Sequence, residues 1–344
     1  MKIYKDSGFE WIGEIPEHWS VTKLKNQCQI IPSNVDKKSH DDEIEAVLCN
    51  YVDVYRNDFI NCSLEFMIAT ANEHELKKFQ LIKEDVLITK DSEDPYDIAV
   101  PALVVETQPK LLCGYHLSII RSNNQRLRGS YLFWVLRDTS IASQLHRQAT
   151  GITRWAIATR HVKNSSIPLP PLSEQQTIAA YLDKTCAAID KAIEVKQKQL
   201  EILDALRKSI IHKAVTRGLD DLVELKDSWV EWMPKKPKNW KTCRIKDALD
   251  FFNTQRVPLS ADVRGVMIEK KYDYYGASGI IDKVDDYLFD GTYILIAEDG
   301  ANLLMRNSPL AFLATGKFWV NNHAHILKPQ FGNDQYFVYL LESL

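Results

Sequence analysis

Several groups of residues in this 344-residue chain have types and spacings that could do chemistry, and each falls short of an active site. Asp94-Pro95-Tyr96 has the acid, one proline and the ring of the acidic-Pro-Pro-Tyr box of adenine methyltransferases. The second proline is absent, and no glycine-rich cofactor loop precedes it. Gly316-Lys317 lacks both the following Ser/Thr and the upstream glycine of a phosphate loop, so nucleotide hydrolysis does not follow. Asp262 with Glu269-Lys270-Lys271 groups acids and lysines as a nuclease does, but such groupings are common on solvated surfaces. His116, His323 and His325 sit in apolar strand contexts and read as hydrogen-bonded structural histidines. Cys28, Cys49, Cys62, Cys113, Cys186 and Cys243 are dispersed, with no Cys-x-x-Cys or Cys/His cluster, which indicates neither a disulfide framework nor a zinc site. They read as reduced, mostly buried thiols. Nothing here assembles a catalytic centre.

The chain is long enough for roughly two domains, and an apolar share of 45% allows each a core. Its opening, Met1-Lys2-Ile3-Tyr4-Lys5-Asp6, is not of secretory type, and no apolar run approaches a membrane span, so cytoplasmic residence is the default expectation. The net charge of −3 does not advertise a nucleic-acid binder. The distribution is uneven, however: Arg121, Arg126, Arg128, Arg137, Arg147, Arg154, Arg160 and Lys163 stand against Asp138 alone between residues 121 and 163. Such a stretch can form a local basic face while acids elsewhere cancel the total.

The elements that would position any functional group are written twice. Ser7, Trp11, Pro16, Trp19 and Leu24 recur as Ser228, Trp232, Pro237, Trp240 and Ile245, all at one interval of 221 residues. Leu87-Ile88-Thr89-Lys90-Asp91-Ser92 answers to Leu295-Ile296-Ala297-Glu298-Asp299-Gly300, Pro101 to Pro309, and Tyr131 to Leu136 answers to Tyr336 to Leu341. Duplicated domains on one chain imply duplicated binding. Short β-rich runs, Val86 to Thr89, Ala102 to Val105 and His116 to Ile120, alternate with turn signals, and a helix is expected from about Ser130 to Arg147. Tyr293 to Ile296 and Ala324 to Leu327 take the strand roles in the second copy.

Between the copies, Ile167-Pro168-Leu169-Pro170-Pro171-Leu172 cannot be helical. Ser173-Glu174-Gln175-Gln176 then reads as a capping box in which Ser173 and Gln176 exchange bonds. No glycine or proline occurs from 174 to 217, and Gly218 supplies a left-handed stop. These 44 residues would span roughly 66 Å as one helix, too long for a compact domain. Its apolar positions, mostly three, four or seven apart, form a seam close to a coiled-coil pattern, weakened at Lys196-Gln197-Lys198-Gln199. A partner helix is expected.

The Pro-rich entry into the Ser-Glu-Gln helix, preceded by Gly151-Ile152-Thr153-Arg154, and the two Trp-Ile/Met-x-x-x-Pro-x-x-Trp openings resemble the specificity subunit of type I restriction-modification systems over essentially the whole chain. The resemblance implies an α+β architecture of two mixed α/β target-recognition domains separated by a long coiled-coil-like helix. The domains would be 1–171 and 219–344, with the helix at 172–218. The second is expected to be incomplete, because family members commonly run further than Leu344. Each domain would read half of a split site in double-stranded DNA. The helix, through Ile178, Leu182, Ile189, Ile193, Leu200, Leu203 and Ile210, would dock modification (methyltransferase) subunits. A restriction (motor-nuclease) subunit would complete the complex, S-adenosylmethionine, ATP and Mg would belong to those partners, and this chain would bind no cofactor or metal and catalyse nothing. Lys90, Ser92, Thr153, Arg154 and Arg160 lie in loop regions that the family uses near DNA. Ser92 and Pro95 depart from the glycines often found after the strand, whereas Gly300 keeps one. An alternative is a truncated or half specificity subunit that self-associates or sequesters modification subunits as a regulator. A self-contained restriction enzyme, needing the nuclease signature rejected above, ranks last.

Overall fold

Both copies of the repeated opening fold as the same small hairpin. In the computed structural model, which describes residues 3–306 and 308–344, Tyr4–Asp6 pairs antiparallel with Glu14–Pro16, and Leu225–Val230 with Met233–Pro237. Ser7 Oγ accepts from Phe9 N at 3.2 Å, and Ser228 Oγ accepts from Val230 N at 3.0 Å. A hydroxyl bonded two residues ahead bends the chain at each turn. Trp19 N and Trp240 N then donate to Pro16 O and Pro237 O at 2.9 and 3.0 Å. The residues that repeat in sequence are thus the ones that make the turns.

The chain folds as two units, Met1–Ala192 and Ile193–Leu344. In the first, the central sheet runs Cys28–Pro32, Leu117–Ser122, Val86–Thr89, Pro101–Val104, Phe59–Ile60, antiparallel except for the last pair. In the second it runs Leu249–Phe251, Ala324–Pro329, Phe289–Ala297, Ala311–Val320, Tyr272–Gly276, Gly279–Val284. Its first three junctions are antiparallel and its fourth parallel, as in the first unit. Leu87 lies between Ala102 and Ile119, and its counterpart Leu295 lies between Phe312 and Ile326. One expected match shifts: Ala311, not Pro309, pairs with Ile296 as Pro101 pairs with Ile88, because the connecting loop is longer in the second copy.

Side chains alternate across a strand, and in the first unit both faces are buried. Val86 and Ile88 pack with the helix Gly129–Arg137, while Leu87 and Ile119 pack against a three-stranded sheet of Leu111–Cys113, Ile44–Cys49 and Met67–Ala71. The second unit repeats the division, with Ile294 against the helix Asp334–Glu342 and Leu295 on the opposite side. The single helix expected over residues 130–147 is two, Gly129–Arg137 and Thr139–His146. Asp138 is extended between them, and its carboxylate accepts from Ser140 N at 2.9 Å and Ile141 N at 3.0 Å, capping the second helix.

The long helix runs Leu172–Arg217, 46 residues. It starts two residues earlier than the capping-box reading requires, so Ser173 lies inside its first turn, where Pro171 O accepts from Glu174 N and Gln175 N. The buried amide is Gln175, which takes Arg128 N on its carbonyl and donates to Arg126 O and Pro170 O. Trp19 Nε1 donates to Glu174 Oε2 at 3.0 Å near one end. Trp240 lies against Gly218 at the other, where φ is +81° and the helix stops. Of the cysteines, Cys49 and Cys113 are buried, Cys28 and Cys186 half-buried, and Cys62 and Cys243 exposed, so the expectation of mostly buried thiols is corrected. Cys62 lies in a turn, and Cys243 lies in a solvated segment outside the regular elements.

Candidate nucleic-acid interface

Strand Val86–Thr89 delivers its C-terminal end to a small ribbon. Asp91–Ser92 pairs with Trp155–Ala156, which pairs with Thr150–Gly151. The turn between the last two holds Ile152, Thr153 and Arg154, and it closes tightly. A Cβ on Gly151 would sit 2.0 Å from Arg154 O, so no other residue fits there without shifting the backbone. Closure brings Arg154 onto Asp91, with Nε and Nη2 donating to Oδ1 at 3.0 and 2.5 Å. His116, immediately before strand Leu117–Ser122, places Nδ1 2.6 Å from the same oxygen.

Around this cluster lies an open cleft of about 580 Å³, lined also by Lys37, Tyr51, Tyr55, Asp94 and Asp97. Tyr51 and Tyr55 stack with ring centroids 5.6 Å apart. Their hydroxyls donate to Ser92 Oγ at 3.1 Å and Asp97 Oδ1 at 3.3 Å. Each ring is thus tethered at its hydroxyl, and acids Asp94 and Asp97 are engaged locally, Asp94 with Tyr96 N at 2.8 Å.

The structure gathers four of the five residues expected near DNA and gives them different standing. Thr153 and Arg154 are exposed on the turn, with Ile152 almost fully exposed beside them. Ser92 is buried and spends its hydroxyl on Tyr51 and Asp94 N. Lys90 is half-buried, donating to Ser33 O at 2.6 Å with its ammonium over Tyr115, and burial pushes its pKa down. Arg160, in the helix Thr159–Asn164, points its Nε at His161 Nε2 at 3.2 Å, apart from the Asp91 cluster. The arginine-rich stretch is less free than its sequence suggests: Arg121 pairs with Asp85, Arg128 with Glu84 and Arg137 with Asp58.

The second unit carries a matching arrangement that the histidine reading missed. His323 Nδ1 lies 2.8 Å from Asp299 Oδ2, and Asp299 is the counterpart of Asp91. In both units the histidine carbonyl accepts from the residue before the aspartate, His116 O from Lys90 N and His323 O from Glu298 N, each at 3.0 Å. Neither histidine is an apolar-strand residue; both flank a strand and reach solvent. The signal was hidden because the aspartates are 208 residues apart and the histidines 207, so a one-residue offset breaks the register of the repeat. The residue between strand and aspartate reverses charge, and its partner changes with it. Lys90 reaches a backbone carbonyl, whereas Glu298 accepts from Arg256, which also donates to Ala324 O at 2.8 Å.

Along the long helix, Ile178 packs on the core of the first unit, and Leu182 is half-buried. Ile189, Ile193, Leu200, Leu203 and Ile210 are each at least half exposed. They recur at spacings of seven, four or three residues on a surface otherwise stabilised by pairs such as Glu194–Lys198 and Asp204–Lys208. Leu203, Leu206 and Ile210 join Tyr339 to line a shallow groove of about 340 Å³ in the second unit. Among the described residues, no helix is long and apolar enough to cross a membrane, and no group of three His, Cys, Asp or Glu side chains is placed to hold a metal.

Two copies of one sheet arrangement and one long helix carrying exposed apolar residues define a two-unit mixed α/β architecture. The model of the type I restriction modification DNA specificity domain matches residues 16–211 and 237–344, and the chain belongs to that family. It is 24% identical over 255 residues to the MjaVIII type I restriction enzyme specificity subunit of Methanocaldococcus jannaschii, covering 73% of this chain and 54% of that one. Against the MjaX specificity-subunit sequence of the same organism it is 27% identical over 251 residues, covering 71% and 56%. The chain therefore spans about half the length of the curated relatives it matches. Its fold is similar to the HsdS subunit of Thermoanaerobacter tengcongensis, with a TM-score of 0.56 and 16% identity over 95% of this chain and 80% of that one. It is also similar to a chain from a structure of type I R-M complex assembly and conformational transition, with a TM-score of 0.66 and 15% identity over the same shares.

Proposed function

We propose that this chain is the sequence-reading and scaffolding subunit of a type I restriction-modification complex and performs no chemistry itself. Each unit would read one half of a bipartite site in double-stranded DNA. The observation that carries this reading is the duplicated sheet with a duplicated loop station after its central strand, in a chain of the specificity-domain family. Phosphate contacts would set register, and side chains on the loops would reach base edges. In the first unit the turn carrying Thr153 and Arg154, beside Lys90 and Ser92, is the surface we assign to DNA, with Arg160 at its margin. The tract 172–218 would serve as spacer and docking surface, flanked by recognition domains 1–171 and 219–344. The exposed row from Ile189 to Ile210 would receive helices of the modification subunits, with a restriction subunit joining the assembly.

Methylation of adenine requires the base to leave the stack, and that step would belong to the modification subunits with S-adenosylmethionine, as ATP and Mg would belong to the motor. The complex would act where chromosomal DNA lies, in the cytoplasm. Co-expression with a modification subunit encoded beside this chain, followed by mapping of adenine methylation on random-sequence DNA, tests the reading. Methylation at a split motif supports it, and no complex overturns the docking role of the helix. The exposed row of apolar residues also suits a second copy of the chain. A stable complex without methylation would favour the sequestering reading, and a palindromic motif would identify a pair of first units.

A further inference from the structure

The two histidine–aspartate pairs occupy equivalent places in their sheets, while their surroundings differ: the first is the more buried, and Asp91 also holds Arg154, whose Nη2 lies 3.0 Å from His116 Nδ1. Each pair joins the residue just before the strand beside the central one to the second residue after the central strand, and each is fixed by the same backbone bond. Around them Lys90 becomes Glu298, Ser92 becomes Gly300 and Ser118 becomes His325 at equivalent sheet positions. A solvent-facing ion pair contributes little to folding. His323 and Asp299 are both about half exposed, so stability does not account for their presence.

The pair that two readers share faces the part of the ligand that two half-sites share, and what varies between them faces what varies. The shared part of duplex DNA is its phosphate backbone, and the variable part is the base edges. We infer that His116 and His323, each oriented by its aspartate, are equivalent phosphate-contacting residues, one in each unit. This rests on the DNA-reading role proposed above. Asp91 and Asp299 act as positioning residues: each takes Nδ1 and leaves Nε2 as the remaining edge of the ring, and at the first station the Arg154 guanidinium stands beside that edge, Nη2 3.4 Å from Nε2.

With Nδ1–H given to the carboxylate, a neutral ring presents a bare acceptor at Nε2, which repels phosphate oxygen. The contact therefore takes the imidazolium, whose Nε2–H can donate to a phosphate oxygen. The charged groups facing His116 are Asp91 and Arg154, with the Lys90 ammonium behind Tyr115. Those around His323 are Asp299 and, on adjoining segments, Glu298, Arg256 and His325.

The test uses the full chain co-purified with its modification subunits, titrated onto fluorescent duplexes of several unrelated sequences between about 50 and 200 mM salt. His116→Gln and His323→Gln should each weaken binding about five- to tenfold on every duplex alike and reduce the slope of log affinity against log salt by about one. Unchanged thermal unfolding of the variants would show that the fold is intact. Wild-type binding with both variants equal to it overturns the inference, as does a variant whose loss is confined to some sequences, which would mark a base contact. A wild-type assembly that binds no duplex overturns the DNA-reading role itself, a failure visible without any variant.

Discussion

The side-chain carbonyl of Gln175 accepts the backbone N–H of Arg128 at 2.9 Å, tying the first turn of the long helix to the start of the helix Gly129–Arg137. Its amide nitrogen donates to Arg126 O and Pro170 O at 2.9 and 2.8 Å, and the side chain has no exposed surface. Gln175→Leu strands all three backbone groups. We expect a loss of about 2–4 kcal/mol in urea unfolding of the full chain. A loss below about 1 kcal/mol would mean that water replaces the amide.

Arg121 is engaged by the fold, and we expect it to take no part in DNA binding. Its Nε and Nη2 meet Asp85 Oδ1 and Oδ2 at 2.8 and 2.6 Å, and Asp85 is buried. Arg121→Gln leaves that carboxylate without its counter-ion and should cost about 3 kcal/mol. Duplex affinity at temperatures where the variant stays folded should match the wild type.

These two residues show where sequence reading ends. The strand Val86–Thr89 was legible because a short apolar run suits a strand buried on both faces, and the long helix because nothing within it breaks a helix before Gly218. The helix break at Asp138 was not, since an aspartate inside an amphipathic run is tolerated as readily as it caps. The pairing of arginines in the basic stretch was not legible either, because Asp85, Glu84, Asp58 and Asp91 come from other elements. Pairing of His116 with Asp91 required a strand register that only the folded sheet supplies.

Gly151→Ala tests the ribbon. Its new Cβ would collide with Arg154 O, so the turn must open and Arg154 must leave Asp91. We expect about 1–3 kcal/mol of destabilisation. Duplex affinity should fall more than for Arg154→Ala, which removes the guanidinium but keeps the turn. Equal affinity for Gly151→Ala and wild type would exclude this turn from the interface.

The exposed row on the helix predicts the opposite pattern. Leu200→Asp with Leu203→Asp alters solvated positions and should change unfolding free energy by less than about 1 kcal/mol. Co-purification with modification subunits should be lost. Retention at wild-type stoichiometry would place docking elsewhere.

In the second unit, the backbone N–H of Lys283 and then the Arg264 guanidinium hold the Asp282 carboxyl down from an ordinary 3.8 to about 2. A depressed carboxylate stabilises the fold above its unfolded pKa and loses that contribution as pH falls through the folded one. The difference in melting temperature between wild type and Asp282→Asn should be full at about pH 6, shrink between about 4 and 2, and vanish below. A difference independent of pH would assign the effect to shape and not to charge.

In the first unit, Ser166–Leu169 pairs with Ser20–Lys23, so a strand near its beginning waits for one near its end. During synthesis at about 5–20 residues per second, the opening hairpin is made roughly 8 to 30 seconds before that strand is complete. Closure of the unit is therefore set by the clock of translation. The long helix emerges next, so its apolar row is displayed only on a first unit that already has every strand it needs.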